Sequence, residues 1–227
     1  MIYNFLFSEG QSVEDTIVMF LITMFVFVFS LSVHEFAHAF SAYKMGDNTA
    51  KLSGRMTINP LKHLDLVGFI FFLFIGVGWA KPVPVNLNNF NNYKKGARLV
   101  SISGVLANFC LGLISAILIL ILSAFKIDNI IMAYVIAILR VFVQVNGLLV
   151  MFNILPFPSL DGFNFLTTIV KPDNRVIQFL YKNGFRILIG IILLGIVTDV
   201  FWDFDIFTIY LNLLSDFEFY IISLLGA

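Results

Sequence analysis

The chain has 227 residues, 59% hydrophobic and only 12% charged, with 14 Lys+Arg balanced by 14 Asp+Glu and with 27 phenylalanines. So few charges cannot cover a water-soluble surface, and lipid must solvate most of the chain. A formal net charge of zero gives no reason to expect nucleic acid as a partner, and the single cysteine, Cys110, excludes an intrachain disulfide and reads as a small buried hydrophobe.

Ahead of the first apolar run stand Glu9, Glu14 and Asp15 but no lysine or arginine. That is the reverse of a leader's basic start, so the run is expected to stay as a membrane anchor. Residues 16–33 are uncharged and continue through Ala37, Ala39, Phe40, Ala42 and Tyr43 to a stop at Gly46, with Lys44 in the last turn. The pattern predicts one helix over about 16–45. Its inner third carries His34-Glu35-Phe36-Ala37-His38, which holds two of the three histidines in the chain. Positions i and i+4 share a helix face, so both imidazoles can bind one metal ion. Glu35, roughly a third of a turn away, stands beside that ion. Two neutral imidazoles and a carboxylate able to take a proton from bound water form the zinc-hydrolase arrangement. From His34 to Lys44 is on the order of 15 Å of helix, which puts the motif within the bilayer zone.

Residues 49–57 alternate, with Ala50, Leu52, Gly54 and Met56 against Lys51, Ser53, Arg55 and Thr57. Period two predicts a half-buried strand. A second alternating stretch covers 81–88, where Val83, Val85 and Leu87 share a face and Pro82 and Pro84 oppose them, as on an edge strand. The apolar segment 66–80 between them is short for a crossing and suits a re-entrant or tilted helix. Residues 99–125 form an uncharged run of 27. A further span over 130–155 is interrupted only by Arg140, which would face a partner or snorkel outward. The break Pro156-Phe157-Pro158-Ser159-Leu160-Asp161-Gly162 follows. A weaker span covers 179–202, with Lys182 and Arg186 able to snorkel. Residues 206–226 carry Asp216 and Glu218 and read as a poor further span or an interfacial helix. The expected fold is one membrane-embedded domain over 1–227. It would be an all-α polytopic membrane protein with about five to six transmembrane helices and a small membrane-associated β element.

Eight basic residues lie between the first span and Leu99: Lys44, Lys51, Arg55, Lys62, Lys81, Lys94, Lys95 and Arg98. Four more, Lys171, Arg175, Lys182 and Arg186, follow the break at Asp161. All fall on one side if 66–80 returns to the side it entered from, while the other side receives Lys126 and several acids. The positive-inside rule then puts the N-terminus outside and the histidine motif toward the cytoplasm, in a cell membrane.

A catalytic zinc takes three protein ligands and keeps a position for water. Asp161 lies at a similar depth to His34 and His38 and is favoured as the third, although it could instead cap the helix that follows. His63, among Asn59, Lys62 and Asp65, is the competing candidate and reads equally as a surface residue.

Several segments together resemble the site-2 protease family of intramembrane zinc metalloproteases. They are the His34–His38 motif, Gly54-Arg55-Met56-Thr57-Ile58-Asn59-Pro60-Leu61, Gly78-Trp79-Ala80-Lys81-Pro82-Val83-Pro84-Val85-Asn86, Ser103-Gly104-Val105-Leu106-Ala107-Asn108 and Asn153-Ile154-Leu155-Pro156-Phe157-Pro158-Ser159-Leu160-Asp161-Gly162. The resemblance covers roughly residues 16–165, and Val105 departs from it where the family commonly has proline. It implies one zinc ion held by His34, His38 and Asp161, with Glu35 as the catalytic proton carrier. It also implies transmembrane protein substrates, met in an extended form that could add to the 49–57 and 81–88 edges. Asn153 would hold substrate backbone or make an interhelical hydrogen bond. Asn108 and Asn146 carry the same two readings, the structural one favoured. Residues 126–129 leave no room for a PDZ insertion and no CBS module follows the last span, so the minimal form of the family is expected. Against this stands a non-catalytic transporter or partner-binding pseudoprotease, which metal analysis separates. An iron-dependent lipid oxidase would need more than three histidines.

Overall fold

A computed structural model describes residues 13–75, 78–125 and 129–202; the expected segment over 206–226 lies outside them. Helix α1 runs Val13–Lys44, with Glu14 and Asp15 in its first turn and Lys44 in its last, each sign matched to the helix dipole. Gly46, at φ +108°, ends it in the left-handed conformation that glycine tolerates. The buried stripe of α1 recurs every three to four residues through Thr23, Phe27, Ser30, His34 and His38. Small residues such as the fully buried Ser30 let neighbouring helices approach closely.

Helix α2 is the single turn Thr49–Leu52, α3 runs Leu66–Ile75 and α4 Tyr93–Ala124. Helix α4 begins ahead of its uncharged run because Asn92 caps the first turn, its side chain accepting from the Lys95 N–H at 3.0 Å. Helices α5 (Ile130–Asn153), α6 (Asp161–Ile169) and α7 (Arg175–Trp202) follow. Contacts fix directions: Tyr134 donates to Asp15 and Asn146 to Ser30, so α5 runs parallel to α1. His34 meets Asn108 and His38 meets Val100, so α4 runs antiparallel to α1.

Among the described residues four helices are long and apolar enough to cross a membrane: α1, α4, α5 and Arg175–Gly195 of α7. Helix α3, with ten residues, spans about 15 Å, half a hydrocarbon core. Its flanks meet in an antiparallel bridge between Leu64 and Ala80, completed by Lys81 N–H donating to His63 C=O at 2.8 Å. The bridge therefore brings the two ends of the segment together. Stacking of Phe27 on Phe72, with centroids 3.6 Å apart, fastens it to α1.

The β element is not formed: beyond that isolated bridge the described residues contain no strand. Residues 49–52 are helical because Asp47 accepts the Thr49 N–H at 3.0 Å and nucleates a turn, which Gly54 at φ +66° closes. Residues 81–86 are free of regular structure, and their polar backbone groups go to side chains rather than to a neighbouring strand. Pro82 and Pro84 have no N–H, Val83 N–H donates to Glu35, and Asn86 N–H donates to Asp47. Arg55 takes the carbonyls of Lys81 and Pro82 at 2.6 and 3.3 Å. Cys110 is exposed rather than buried, on the outer face of α4 with Leu106, Phe109 and Leu113.

Candidate metal centre

His34 and His38 sit one turn apart on α1, with their rings edge to face and their centroids 4.6 Å apart. Asp161 is the first residue of α6 and arrives from the break after α5. Its approach depends on Gly162, where an added Cβ would lie 2.2 Å from the Ile154 carbonyl oxygen. One residue upstream of Leu160, Ser159 holds φ 78°, a strained turn in the break that leads into Asp161. All three side chains are buried, and their ligand atoms lie within 4.8 Å of one another. The two Nε2 atoms are 3.0 Å apart, and Asp161 Oδ2 lies 3.4 Å from His34 Nε2 and 3.3 Å from His38 Nε2.

Which atoms carry protons follows from the outer partners. Val100 C=O can only accept, so at 2.8 Å it requires a proton on His38 Nδ1. Ser103 Oγ stands 3.2 Å from the same nitrogen and also donates to Val100 C=O. His34 Nδ1 lies 2.6 Å from Asn108 Oδ1, and an amide oxygen likewise only accepts. In their neutral form both rings therefore present the Nε2 lone pair to the centre, where a carboxylate oxygen without a hydrogen-bond partner joins them. Three acceptors facing one another in a buried space repel unless a cation lies among them. A tetrahedral zinc with ligands at about 2.0–2.1 Å has ligand–ligand edges of about 3.3 Å, close to the spacings found. The donor set fits the ion.

Gly104 of α4 forms the floor. A Cβ there would come within 2.5 Å of Nε2 of both histidines, so only glycine leaves the centre open. Glu35 lies beside the triad, and its Oε2 accepts the Val83 N–H at 2.7 Å. A cleft of 720 Å³ opens over these groups, lined among others by Glu35, Trp79, Val85, Asn153, Asp161 and Tyr181. Asn153 also lines the cleft, and its Nδ2 donates to Leu149 C=O within its own helix.

The remaining candidates fall elsewhere. Asn108 is fully buried, with its oxygen on His34 and its nitrogen donating to Ser30 C=O and Asn146 Oδ1, so it offers nothing to a substrate. His63 is outside the triad and is not a surface residue, being 1% exposed with its Nε2 on Thr57 C=O. Burial, with the charge of Arg55 adding to it, holds its imidazole below the usual value and keeps it neutral. Asn146 makes the interhelical hydrogen bonds its favoured reading expected, whereas the roles of Ser30, Ser103 and the Val83 N–H were not legible in advance. They are recruited across helices from tens of residues away, and a backbone N–H has no sequence signature.

The fold and the cluster together describe a membrane protein in which three buried side chains, placed as metal ligands could be, meet between its helices. No protein-family model matches the chain, and no solved structure matches it. Among characterised sequences, it is 40% identical over 151 residues to a Bacillus subtilis protein named "Putative zinc metalloprotease YwhC", an alignment covering 65% of this chain and 68% of that one. It is 30% identical over 200 residues to "Putative zinc metalloprotease Rip2" of Mycolicibacterium smegmatis, covering 82% of this chain and 74% of the relative. The Mycobacterium tuberculosis protein of the same name is 29% identical over 152 residues, covering 64% and 56%. The chain belongs to the site-2 protease family.

Proposed function

We propose that this chain is an intramembrane zinc metalloendopeptidase that hydrolyses peptide bonds within or beside transmembrane segments of other proteins. The observation that carries the reading is the convergence, at 3.0–3.4 Å, of Asp161 Oδ2 with the Nε2 atoms of His34 and His38, which sit on a helix long enough to cross a membrane. His34, His38 and Asp161 hold one zinc ion per chain. When bound, zinc lowers the pKa of water and polarises a carbonyl oxygen. Glu35 takes the proton of the attacking water and delivers it to the leaving amine, and the Val83 N–H keeps its carboxylate pointed for that transfer. A helical peptide bond is shielded by its own side chains, so the substrate must be unwound when it enters the cleft. Asn153 Oδ1 then accepts a backbone N–H that the unwinding has freed. Clustering of basic residues on one side supports an N-terminus outside the cell membrane and a centre open to the cytoplasm.

The test is made on purified, zinc-loaded protein in vesicles together with single-span membrane proteins. Substrates come from comparing membrane proteomes of cells carrying wild-type protein and the Glu35→Gln variant, in which uncleaved fragments accumulate. The expected outcome is about one zinc per chain in both forms, with cleavage only in the wild type. Undiminished cleavage by Glu35→Gln would sink the mechanism. A wild type that binds no zinc would return the chain to the non-catalytic class.

A further inference from the structure

Between the metal centre and the middle of the bundle runs a chain of buried amides that the reaction itself does not use. Asn146 Nδ2 donates to Phe142 C=O at 2.8 Å and to Ser30 Oγ at 3.0 Å. Its Oδ1 accepts from Asn108 Nδ2 at 2.7 Å, and that nitrogen also donates to Ser30 C=O at 3.2 Å. Asn108 Oδ1 then receives His34 Nδ1 at 2.6 Å. Asn108 and Asn146 are both completely buried.

The order of donors along this chain is not free. Phe142 C=O and Ser30 C=O are backbone carbonyls that can only accept, and each can be served only by an amide nitrogen. The carbonyl of Phe142 turns the Asn146 nitrogen toward α5 and its oxygen toward Asn108. The carbonyl of Ser30 turns the Asn108 nitrogen toward α1 and its oxygen toward His34. Two fixed acceptors at the far end therefore dictate a proton on His34 Nδ1 and a lone pair on Nε2. Reversing either amide would set nitrogen against nitrogen or oxygen against oxygen, with buried polar groups left unpaired.

We infer that Asn108, oriented by Asn146 and Ser30, is a positioning residue that locks His34 in the Nδ1–H tautomer and so prepares its Nε2 to receive zinc before the ion arrives. The inference deepens the metal reading proposed above and rests on it. The alternative is that the amides only fasten α1, α4 and α5 together. Two substitutions separate these roles. Asn108→Leu removes the acceptor for His34 and both bonds to Ser30 and Asn146. Asn108→Asp removes the same two donated bonds but keeps an acceptor oxygen for His34 Nδ1, as in carboxylate–histidine–metal sites.

Two measurements decide. Zinc affinity is read by competition with a chelator on detergent-purified full-length protein. The tautomers are read by 15N spectra of histidine-labelled metal-free protein at pH 8, where three histidines give three resolvable rings. In the wild type, His34 and His38 should carry the proton on Nδ1, whereas His63, which donates through Nε2 to Thr57 C=O, should show the opposite form. Asn108→Leu should weaken zinc binding by about 10–100-fold and release His34 from its tautomer. Asn108→Asp should stay within a few-fold of wild type on both counts despite a lower melting temperature. Equal loss of zinc in both variants, or in neither, overturns the inference. So does a wild-type His34 protonated on Nε2, a result that requires no variant to fold. A wild type with the expected tautomer but no zinc would instead sink the metal reading alone.

Discussion

At the scale of single residues the centre is set by what surrounds each ligand. Glu35 is 9% exposed and has one named partner, the Val83 N–H. A Val83→Pro substitution deletes that donor and nothing polar besides, in a segment that already carries prolines on both sides. It should leave zinc at one per chain but lower kcat by about 10–100-fold, because an unheld buried carboxylate forfeits roughly 1–3 kcal/mol of orientation and pairing. Val83→Ala keeps the N–H and should behave as wild type; a matching loss there would implicate the side chain instead. Gly104 makes a complementary prediction. With a Cβ 2.5 Å from both Nε2 atoms, Gly104→Ala should empty the centre, read as zinc well below one per chain in a protein that still folds. At this scale the sequence was informative where chemistry is local. The spacing of His34, Glu35 and His38 pointed to a pair of candidate ligands with a candidate base beside them, depth in the bilayer favoured Asp161, and the fold brings His34, His38 and Asp161 together. It was uninformative for Asn108, whose two readings depend on which helix face meets which neighbour, a property of packing.

At the scale of elements, the loops after α1 are held by one carboxylate. Asp47 is completely buried. It accepts from Thr49 N–H and Oγ–H, from Asn86 N–H at 2.7 Å and from Asn89 Nδ2 at 2.8 Å. Burial pushes its carboxyl up, but the hydrogen bonds from Thr49, Asn86 and Asn89 outweigh it, and the net shift is downward. A depressed folded pKa contributes stability that is complete above the unfolded value of about 3.9 and is lost as pH falls through the folded one. Mild acid should therefore leave this loop intact. His63, also depressed, contributes stability that is complete above about 6.5 and declines below it. Asp47→Asn turns an amide NH2 toward donors and should cost roughly 1–3 kcal/mol in thermal unfolding at pH 7. Because Asn86 anchors the segment containing Val83, the same variant should lose activity while keeping its zinc. An unchanged rate would mean that the segment is held by Arg55 alone. The alternation over 81–88 and 49–57 was legible as a pattern but misleading as strand. Period two requires a neighbouring ladder, and here Glu35, Asp47 and Arg55 absorb the bonds a ladder would have made.

At the scale of the whole molecule, membrane orientation turns on one closure. Twelve of the fourteen basic residues, all but Lys126 and Arg140, share a side only if the segment after Asp65 returns, and the Leu64–Ala80 bridge brings its two ends together. With α1 and α5 parallel and α4 reversed, the mouth of the cleft and the first turn of α4 then face the same way as Lys44. In the function proposed above that side is the cytoplasmic one, as the positive-inside rule predicts. A direct check replaces Cys110 by serine and introduces single cysteines at Asn129, before α5, and at Lys94, in the first turn of α4. In intact cells a membrane-impermeant maleimide should label the Asn129→Cys variant at once and the Lys94→Cys variant only after permeabilisation. The reverse labelling would put the metal centre on the outer side. A protease so placed could release fragments only outward, and the reading of its substrates would have to change with it.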